Sequence, residues 1–116
     1  MKVLKMLLGT LAVAAIAAPT AWAGEEPTTV KVTNQVDVAG KVISGDSFCT
    51  NGRKVVLLKK KPGKDAKQGS DEADAQGKFS FGNPGLNPGK YYVRAKRILG
   101  ACAPGKSDVF KISSGG

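Results

Sequence analysis

Short runs of alternating apolar and polar residues recur along this chain, and glycine or proline interrupts them every few positions. Beyond residue 23, no long stretch places apolar side chains at the i, i+3, i+4 and i+7 spacing of an amphipathic helix. Several short alternating runs between turn residues are typical of a β-sandwich or a barrel. The sequence therefore predicts an all-β domain.

The stretch Asp74–Val93, which reads DAQGKFSFGNPGLNPGKYYV, shows this pattern most clearly. Asp74 and Gly77 favour a turn, because Asp bonds the backbone two residues on and Gly accepts a positive φ. Phe79 and Phe81 follow, and a period of two places both rings on one face of a strand. A second strand begins after a Pro-Gly turn, with core positions Tyr91, Val93 and Ala95 alternating with outward positions Tyr92, Arg94 and Lys96.

Further strands can be predicted in four other segments. The even positions from Val30 to Val42 keep one apolar register, which predicts two strands or one strand bent at Gly40. Arg53–Lys60, which reads RKVVLLKK, is apolar on both faces at its centre and predicts a strand near the middle of a sheet. Residues 64–77 are polar and predict a loop with at most one weak, solvent-facing strand. Val109–Ile112 is the last predicted strand.

The first 23 residues have the pattern of a secretory signal peptide. Lys2 and Lys5 precede the apolar run Met6–Ala18, and Ala21-Trp22-Ala23 is a small-x-small cleavage site. The apolar run is too short for a membrane-spanning helix, which needs about 20 residues. We therefore expect a cleaved signal helix at 1–23, a flexible lead-in at 24–29, a sandwich domain at 30–112 and a frayed tail at 113–116. The mature chain is expected to be extracellular or periplasmic, without a membrane span.

The chain contains two cysteines, Cys49 and Cys102, both in predicted loops at strand ends. An exported chain with two cysteines predicts a disulfide between them. Two free thiols or a metal site are the alternatives, although zinc normally takes three or four Cys, His or carboxylate ligands.

Histidine is absent from the sequence. This excludes Ser-His-Asp triads, Cys-His pairs and histidine-ligated metals. The only acidic cluster, Asp71, Glu72 and Asp74, lies in a polar loop and is interpreted as a solvated turn. Catalysis or calcium binding is the alternative, although the spacing does not follow an EF-hand loop. We therefore predict no enzyme activity, no catalytic residues, no cofactor and no metal site.

Positive charge is the strongest compositional signal. Without Lys2 and Lys5, the chain carries 16 basic and 9 acidic residues, a net charge of +7. The candidate anion-binding residues form a first group around one turn and a second along the outer face of one strand: Lys59, Lys60, Lys61, Lys64 and Lys67, then Lys90, Arg94, Lys96 and Arg97. Tyr92 is the candidate contact aromatic. These groups predict attraction for an anionic polymer, without a specific nucleic-acid motif; alternatively, the lysines only keep loops and strand edges soluble.

The order of these elements resembles the carboxypeptidase regulatory-like and transthyretin-like (prealbumin-like) secreted β-sandwich domains, most closely small bacterial members with a cysteine pair. The residues that carry the resemblance are, in chain order, Gly40–Val42, Cys49, Gly52–Leu57, Asp74–Phe81, Pro88–Val93, Cys102 and Ser107. The resemblance implies a single Greek-key sandwich of about seven strands, immunoglobulin-like in architecture. The histidines of transthyretin-like hydrolases are missing here. Collagen-adhesin relatives can form an internal Lys-Asn crosslink assisted by a Glu, and that Glu is also missing here.

These observations predict an exported, non-catalytic β-sandwich module with a structural, adhesive or binding role. One alternative is an electrostatic binder of anionic envelope polymers or glycans through a Lys/Arg face. A hydrolase is the other alternative, disfavoured by the absence of histidine. The partner is expected to be an anionic cell-envelope polymer or another exported protein.

Overall fold

Eight strands account for most of the regular structure in residues 24–113, the part of the chain that the computed structural model describes. The predicted signal peptide and residues 114–116 of the predicted tail lie outside the described residues. The strands are β1 Thr28–Asn34, β2 Ala39–Ser44, β3 Lys54–Lys59, β4 Ala66–Glu72, β5 Lys78–Ser80, β6 Gly89–Ala95, β7 Gly105–Lys106 and β8 Phe110–Ile112. One 3-10 turn, Ser47–Cys49, precedes β3. The predicted all-β class is confirmed.

The strands form two antiparallel sheets. The smaller sheet has three strands in the order β1-β2-β5. The larger sheet has five, in the order β4-β3-β6, and both β7 and β8 pair with the far edge of β6. Strand β3 therefore lies in the middle of the larger sheet, as its apolar centre predicts.

One cluster of buried side chains joins the two sheets. Its members are Val30, Val38, Val42, Val55, Leu57, Ala73, Phe79, Tyr91, Val93, Ala95 and Phe110. The predicted inward positions of the second aromatic strand, Tyr91, Val93 and Ala95, are all in this core. The alternation of β6 is confirmed, so its even-numbered residues point to the opposite face of the sheet.

Of the two alternatives for residues 30–42, the structure has two strands, and the bend at Gly40 is wrong. Gly40 lies within β2, where a side chain would collide with the carbonyl oxygen of Lys31 on β1. The chain turns instead at residues 35–38, because the Asn34 Oδ1 accepts hydrogen bonds from the backbone N–H groups of Val36 and Asp37. Val36 is 71% exposed, so it does not share the core face with its even-numbered neighbours. The hydrogen bonds that form the turn at Asn34 therefore decide the position of Val36, although the alternation of apolar residues predicts that it is buried.

The predicted turn before β5 is confirmed. The Asp74 Oδ1 accepts hydrogen bonds from the backbone N–H groups of Gln76 and Lys78, each at 2.9 Å. Gly77 adopts a φ of +81°, and a side chain there would collide with the carbonyl oxygen of Val42. Glycine is therefore required at this position for both its backbone angle and its small size.

Strand β1 begins at Thr28, inside the segment 24–29 that the sequence predicts as a flexible lead-in. The N–H of Glu26 donates to the carbonyl oxygen of Ala101, and the N–H of Ala103 donates to the carbonyl oxygen of Glu26. The N-terminal end of the described chain is thus hydrogen-bonded to the loop that carries Cys102.

The predicted disulfide between Cys49 and Cys102 is confirmed. Beside it lies Arg53, whose side chain is fully buried. Its guanidinium donates to the carbonyl oxygens of Lys96, Cys49 and Ala103 at 2.8, 2.8 and 2.6 Å, and to Thr28 Oγ1 at 3.1 Å. Burial lowers the pKa of Arg53 from its usual value. Disulfide and guanidinium together join four separate segments at one end of the domain.

Candidate anion-binding face

The outer face of the five-stranded sheet has an apolar centre. Val56, Leu58 and Tyr92 point away from the core, because their neighbours along β3 and β6 point into it. These three side chains are only 5%, 7% and 9% exposed. Long side chains around them must therefore cover them, because within residues 24–113 no further sheet packs on this side.

Most of the surrounding side chains are basic. We define the basic face as the outward side chains of β3, β4, β6, β7 and β8 together with Lys60, Lys64, Asp65 and Lys96, which lie beside these strands around Tyr92. Its cations are Lys54, Lys60, Lys64, Lys67, Lys90, Arg94, Lys96, Lys106 and Lys111. Its carboxylates are Asp65 and Glu72. Lys61 of the same loop is not counted in the face, because its contact with Asp65 is through its backbone N–H.

The basic face accounts for the whole net charge of the described residues. Nine basic and two acidic side chains on the face give +7. The other seven basic and seven acidic side chains of residues 24–113 cancel. The positive charge that composition revealed is therefore concentrated on one side of one sheet.

Several of these cations lie directly opposite one another on neighbouring strands. Lys90 pairs with Lys111, and the N–H of Lys60 donates to the carbonyl oxygen of Lys90, which forms a row of three lysines. Arg94 pairs with Lys106 in the same way. Like charges directly opposite in a sheet are destabilising, and nearby anions relieve that repulsion.

Tyr92 and Asp65 lie at the centre of the basic face. The Tyr92 O–H donates to Asp65 Oδ2 at 2.7 Å, and the backbone N–H of Lys61 donates to Asp65 Oδ1 at 3.1 Å. The Nζ atoms of Lys60 and Lys106 lie 5.9 and 5.7 Å from the centre of the Tyr92 ring. Tyr92 is thus covered by lysines rather than presented as an open stacking surface.

The hydrogen bond between these two side chains shifts both of their pKa values. The Tyr92 phenol, followed by the Lys61 N–H, lowers the pKa of Asp65. The same bond, with burial, raises the pKa of Tyr92 above its usual value. The contribution of Asp65 to stability is present above its unfolded-state pKa and is lost as the pH falls through the lowered value. The contribution of Tyr92 is present below its unfolded-state pKa and is lost as the pH rises through the raised value.

A groove of about 450 Å³ runs along the apolar centre. Lys64 and Lys67 line one part of it, and Arg94 and Lys96 line another. Val56, Leu58, Tyr92 and the carboxylate of Asp65 line its remaining surface. Because the three uncharged side chains are almost fully covered, the groove can hold anionic groups mainly through the cations on its two sides.

Six of the nine predicted anion-binding residues lie on the basic face: Lys60, Lys64, Lys67, Lys90, Arg94 and Lys96. Lys59 points to the other side of the sheet, where its Nζ is 5.8 Å from the centre of the Tyr91 ring. Lys61 contacts Asp65 through its backbone. Arg97 lies in the loop after β6 and forms an ion pair with Glu25 at 2.9 Å.

Sequence reasoning did not include Lys54, Lys106 and Lys111. Lys54 could have been found from the alternation of β3, whose inward residues are odd-numbered. Lys106 and Lys111 join the face only because β7 and β8 pair with β6. Such pairing between separate segments cannot be read from spacing along the chain.

Within residues 24–113, no three Cys, Asp or Glu side chains are grouped closely enough to hold a metal ion. No helix in that range has the length and apolar character needed to cross a membrane.

Comparison of the chain with protein-family models, with curated proteins and with solved structures gives no match. The resemblance to transthyretin-like domains therefore stays a prediction.

Proposed function

We propose that this protein is an exported, non-catalytic β-sandwich module that binds an anionic polymer through the basic face. One observation carries the proposal: a net charge of +7 lies on one face, while the charges on the rest of the described chain cancel. Protection of strand edges accounts for lysines on β4, β7 and β8, but not for the cations on the outer faces of the inner strands β3 and β6. A concentrated field attracts polyanions and accelerates their association.

The type of cation supports recognition by charge rather than by shape. Arg94 is the single arginine of the basic face, and the other eight cations are lysines. Lysine acts as a mobile point charge, whereas arginine binds planar anions through a rigid fork. Tyr92 is buried and cannot stack freely on a base or a sugar ring. The ligand class that fits is a flexible polymer with many anionic groups, such as an acidic envelope glycan.

Export is part of the proposal. It rests on the signal-peptide pattern of residues 1–23. The disulfide supports it, because disulfides persist mainly in oxidising compartments. For the fold, we propose a Greek-key sandwich of the transthyretin-like kind. Support comes from β5, which pairs in the smaller sheet although β4 and β6 belong to the larger one.

The three-stranded sheet offers a matched control for the binding test. Lys31 pairs with Lys41, and Lys41 pairs with Lys78, which gives a second row of three opposed lysines on the other sheet. This row and the row Lys60, Lys90 and Lys111 carry the same charge in the same arrangement. They differ in which sheet they belong to.

We expect the triple variant Lys60→Ala, Lys90→Ala and Lys111→Ala to bind polygalacturonate and polyphosphate much more weakly than the unmodified protein. The slope of log affinity against log salt concentration is negative, and its magnitude should decrease by about 2 to 3. Each lysine that contacts the polymer releases about one counterion. The control variant Lys31→Ala, Lys41→Ala and Lys78→Ala should keep its slope. Titration at several salt concentrations measures both. Equal losses of affinity in the two variants would mean that binding depends on total charge and not on the basic face. If the unmodified protein binds neither polymer, the proposal is wrong and a structural role remains.

A further inference from the structure

Strand β1 has an unpaired edge. It is the outer strand of the three-stranded sheet and pairs with β2 alone. At its first residue, Thr28, the edge is closed by Gly105 of β7, which packs against the Thr28 carbonyl oxygen. Beyond that point, residues 30–33 have no strand partner on this side within the described part of the chain.

Hydrogen bonding in the neighbouring strand shows which peptide groups of β1 face this edge. The N–H of Val42 donates to the carbonyl oxygen of Gly77, the residue before β5. The peptide groups of Val42 therefore point toward β5 and away from β1. The peptide groups of the next residue, Lys41, therefore point toward β1, where they pair with those of Lys31. Because peptide groups alternate along a strand, those of Val30 and Val32 point to the open edge. Two N–H donors and two carbonyl acceptors are thus aimed outward.

A groove of about 460 Å³ runs beside these groups. Residues 29–33 form one wall and residues 106–110 form the other. Phe110 on the far wall is buried, whereas Val109 is half-exposed. The groove therefore offers backbone partners on one side and an apolar surface next to the core on the other.

We propose that the open edge of β1 is a strand-addition site for an extended segment of another protein with an apolar–acidic–apolar pattern. Residues of an added strand that lie opposite Val30 and Val32 point toward the core and must be apolar. The residue opposite Lys31 lies on the outer face, next to the row Lys31, Lys41 and Lys78. An acidic side chain there offsets the repulsion of three opposed lysines.

A second copy of this chain fits the edge poorly. Strand β1 reads TTVKVTN, so pairing two copies of it centre to centre places Lys31 beside its equivalent in the other copy. Lysine on an edge strand is a common means of preventing such pairing. The site shares Lys106 with the basic face, but its hydrogen-bonding groups are those of Val30 and Val32, so the proposal does not rest on polymer binding.

The test uses the protein and two end-blocked synthetic peptides. One is Thr-Thr-Val-Glu-Val-Thr-Asn, and the control has Lys in place of Glu. We expect the Glu peptide to bind about fivefold more tightly than the Lys peptide. It should also slow hydrogen exchange at the Val30 and Val32 amides, measured by NMR. In the Lys31→Glu variant the preference should reverse. The triple variant Lys60→Ala, Lys90→Ala and Lys111→Ala should bind the Glu peptide as the unmodified protein does, which keeps this test separate from polymer binding.

Three results would overturn the proposal. The first is absence of binding, or binding that leaves exchange at Val30 and Val32 unchanged. The second is an order of affinities that stays the same in the Lys31→Glu variant. The third is protection of the same amides by self-association without peptide, which would assign the edge to a second copy.

Discussion

Replacing Arg53 with methionine is expected to lower the free energy of unfolding by about 3 to 5 kcal/mol. The guanidinium makes four hydrogen bonds, to the carbonyl oxygens of Lys96, Cys49 and Ala103 and to the Thr28 hydroxyl. Methionine fills a similar volume but donates none of them. The carbonyl oxygens of Cys49 and Ala103 are buried, that of Lys96 is partly buried, and all three would lose a donor. Each buried group left unsatisfied costs about 1 to 3 kcal/mol.

One effect opposes this loss. All four of these hydrogen bonds end on neutral oxygens, so the native protein already bears the cost of burying a positive charge, and methionine removes that cost. Charge-assisted hydrogen bonds contribute about 1.5 to 3 kcal/mol each, so four of them together exceed a desolvation cost of several kcal/mol. The net effect should therefore be destabilising.

Urea unfolding followed by circular dichroism measures the effect. Lys54→Met is the matched control, because Lys54 is adjacent and exposed, and its stability should change by less than about 0.5 kcal/mol. Arg53→Lys should fall between Arg53→Met and the native protein, because lysine lacks the rigid fork. If Arg53→Met stays within about 1 kcal/mol of the native protein, this account of the buried guanidinium is wrong.

Removing the disulfide is expected to have an effect of similar size. The bridge joins residues 53 positions apart. Closing a loop of that length reduces the entropy of the unfolded chain and stabilises the native state by about 4 kcal/mol. The double variant Cys49→Ser and Cys102→Ser should therefore unfold at a much lower urea concentration, and so should the native protein in a reducing agent. Agreement between the two is the internal control.

The two effects should not be additive. The carbonyl oxygen of Cys49 accepts from Arg53, and Ala103, which accepts from the same guanidinium, follows Cys102. Groups that share such a network usually show coupling of about 0.5 to 3 kcal/mol. Combining Arg53→Met with loss of the disulfide should thus cost less than the sum of the separate changes. Strict additivity would show that the bridge and the guanidinium hold this end of the domain independently.

Strands with local signals could be predicted from the sequence. The aromatic alternation of β6 gave its inward residues correctly, and the apolar centre of β3 placed it in the middle of a sheet. Both conclusions depend on side chains within one strand, where the period of two applies directly. The Asp74–Gly77 turn was predictable for the same reason.

Features that depend on contacts between distant segments could not be predicted. The two-residue strand β7 has no periodicity to detect. Arg53 looks like an ordinary charged residue before a strand, because its four acceptors come from separate parts of the chain. Lys59 was grouped with its neighbours around one turn, and its position on the inner side of β3 was not predicted, because β3 is apolar on both faces and its alternation is hidden.

The basic face was predictable in part. The sequence indicated a surplus of cations and the outward side of β6, but not that the surplus lies on a single face. That concentration depends on the register of β3, β7 and β8 against β6. Tyr92 was predicted to point outward, and it does, yet it is buried under Lys60 and Lys106.

The central claim is that an anionic polymer contacts the basic face, and lysine footprinting tests it most directly. The protein is acetylated with and without polygalacturonate, and modification at each lysine is quantified by mass spectrometry. We expect modification of Lys60, Lys90, Lys106 and Lys111 to fall severalfold when the polymer is present. Lys31, Lys41 and Lys78, the matched row on the other sheet, should be modified at an unchanged rate. Equal protection of both sets, or protection of the second set alone, would contradict the claim.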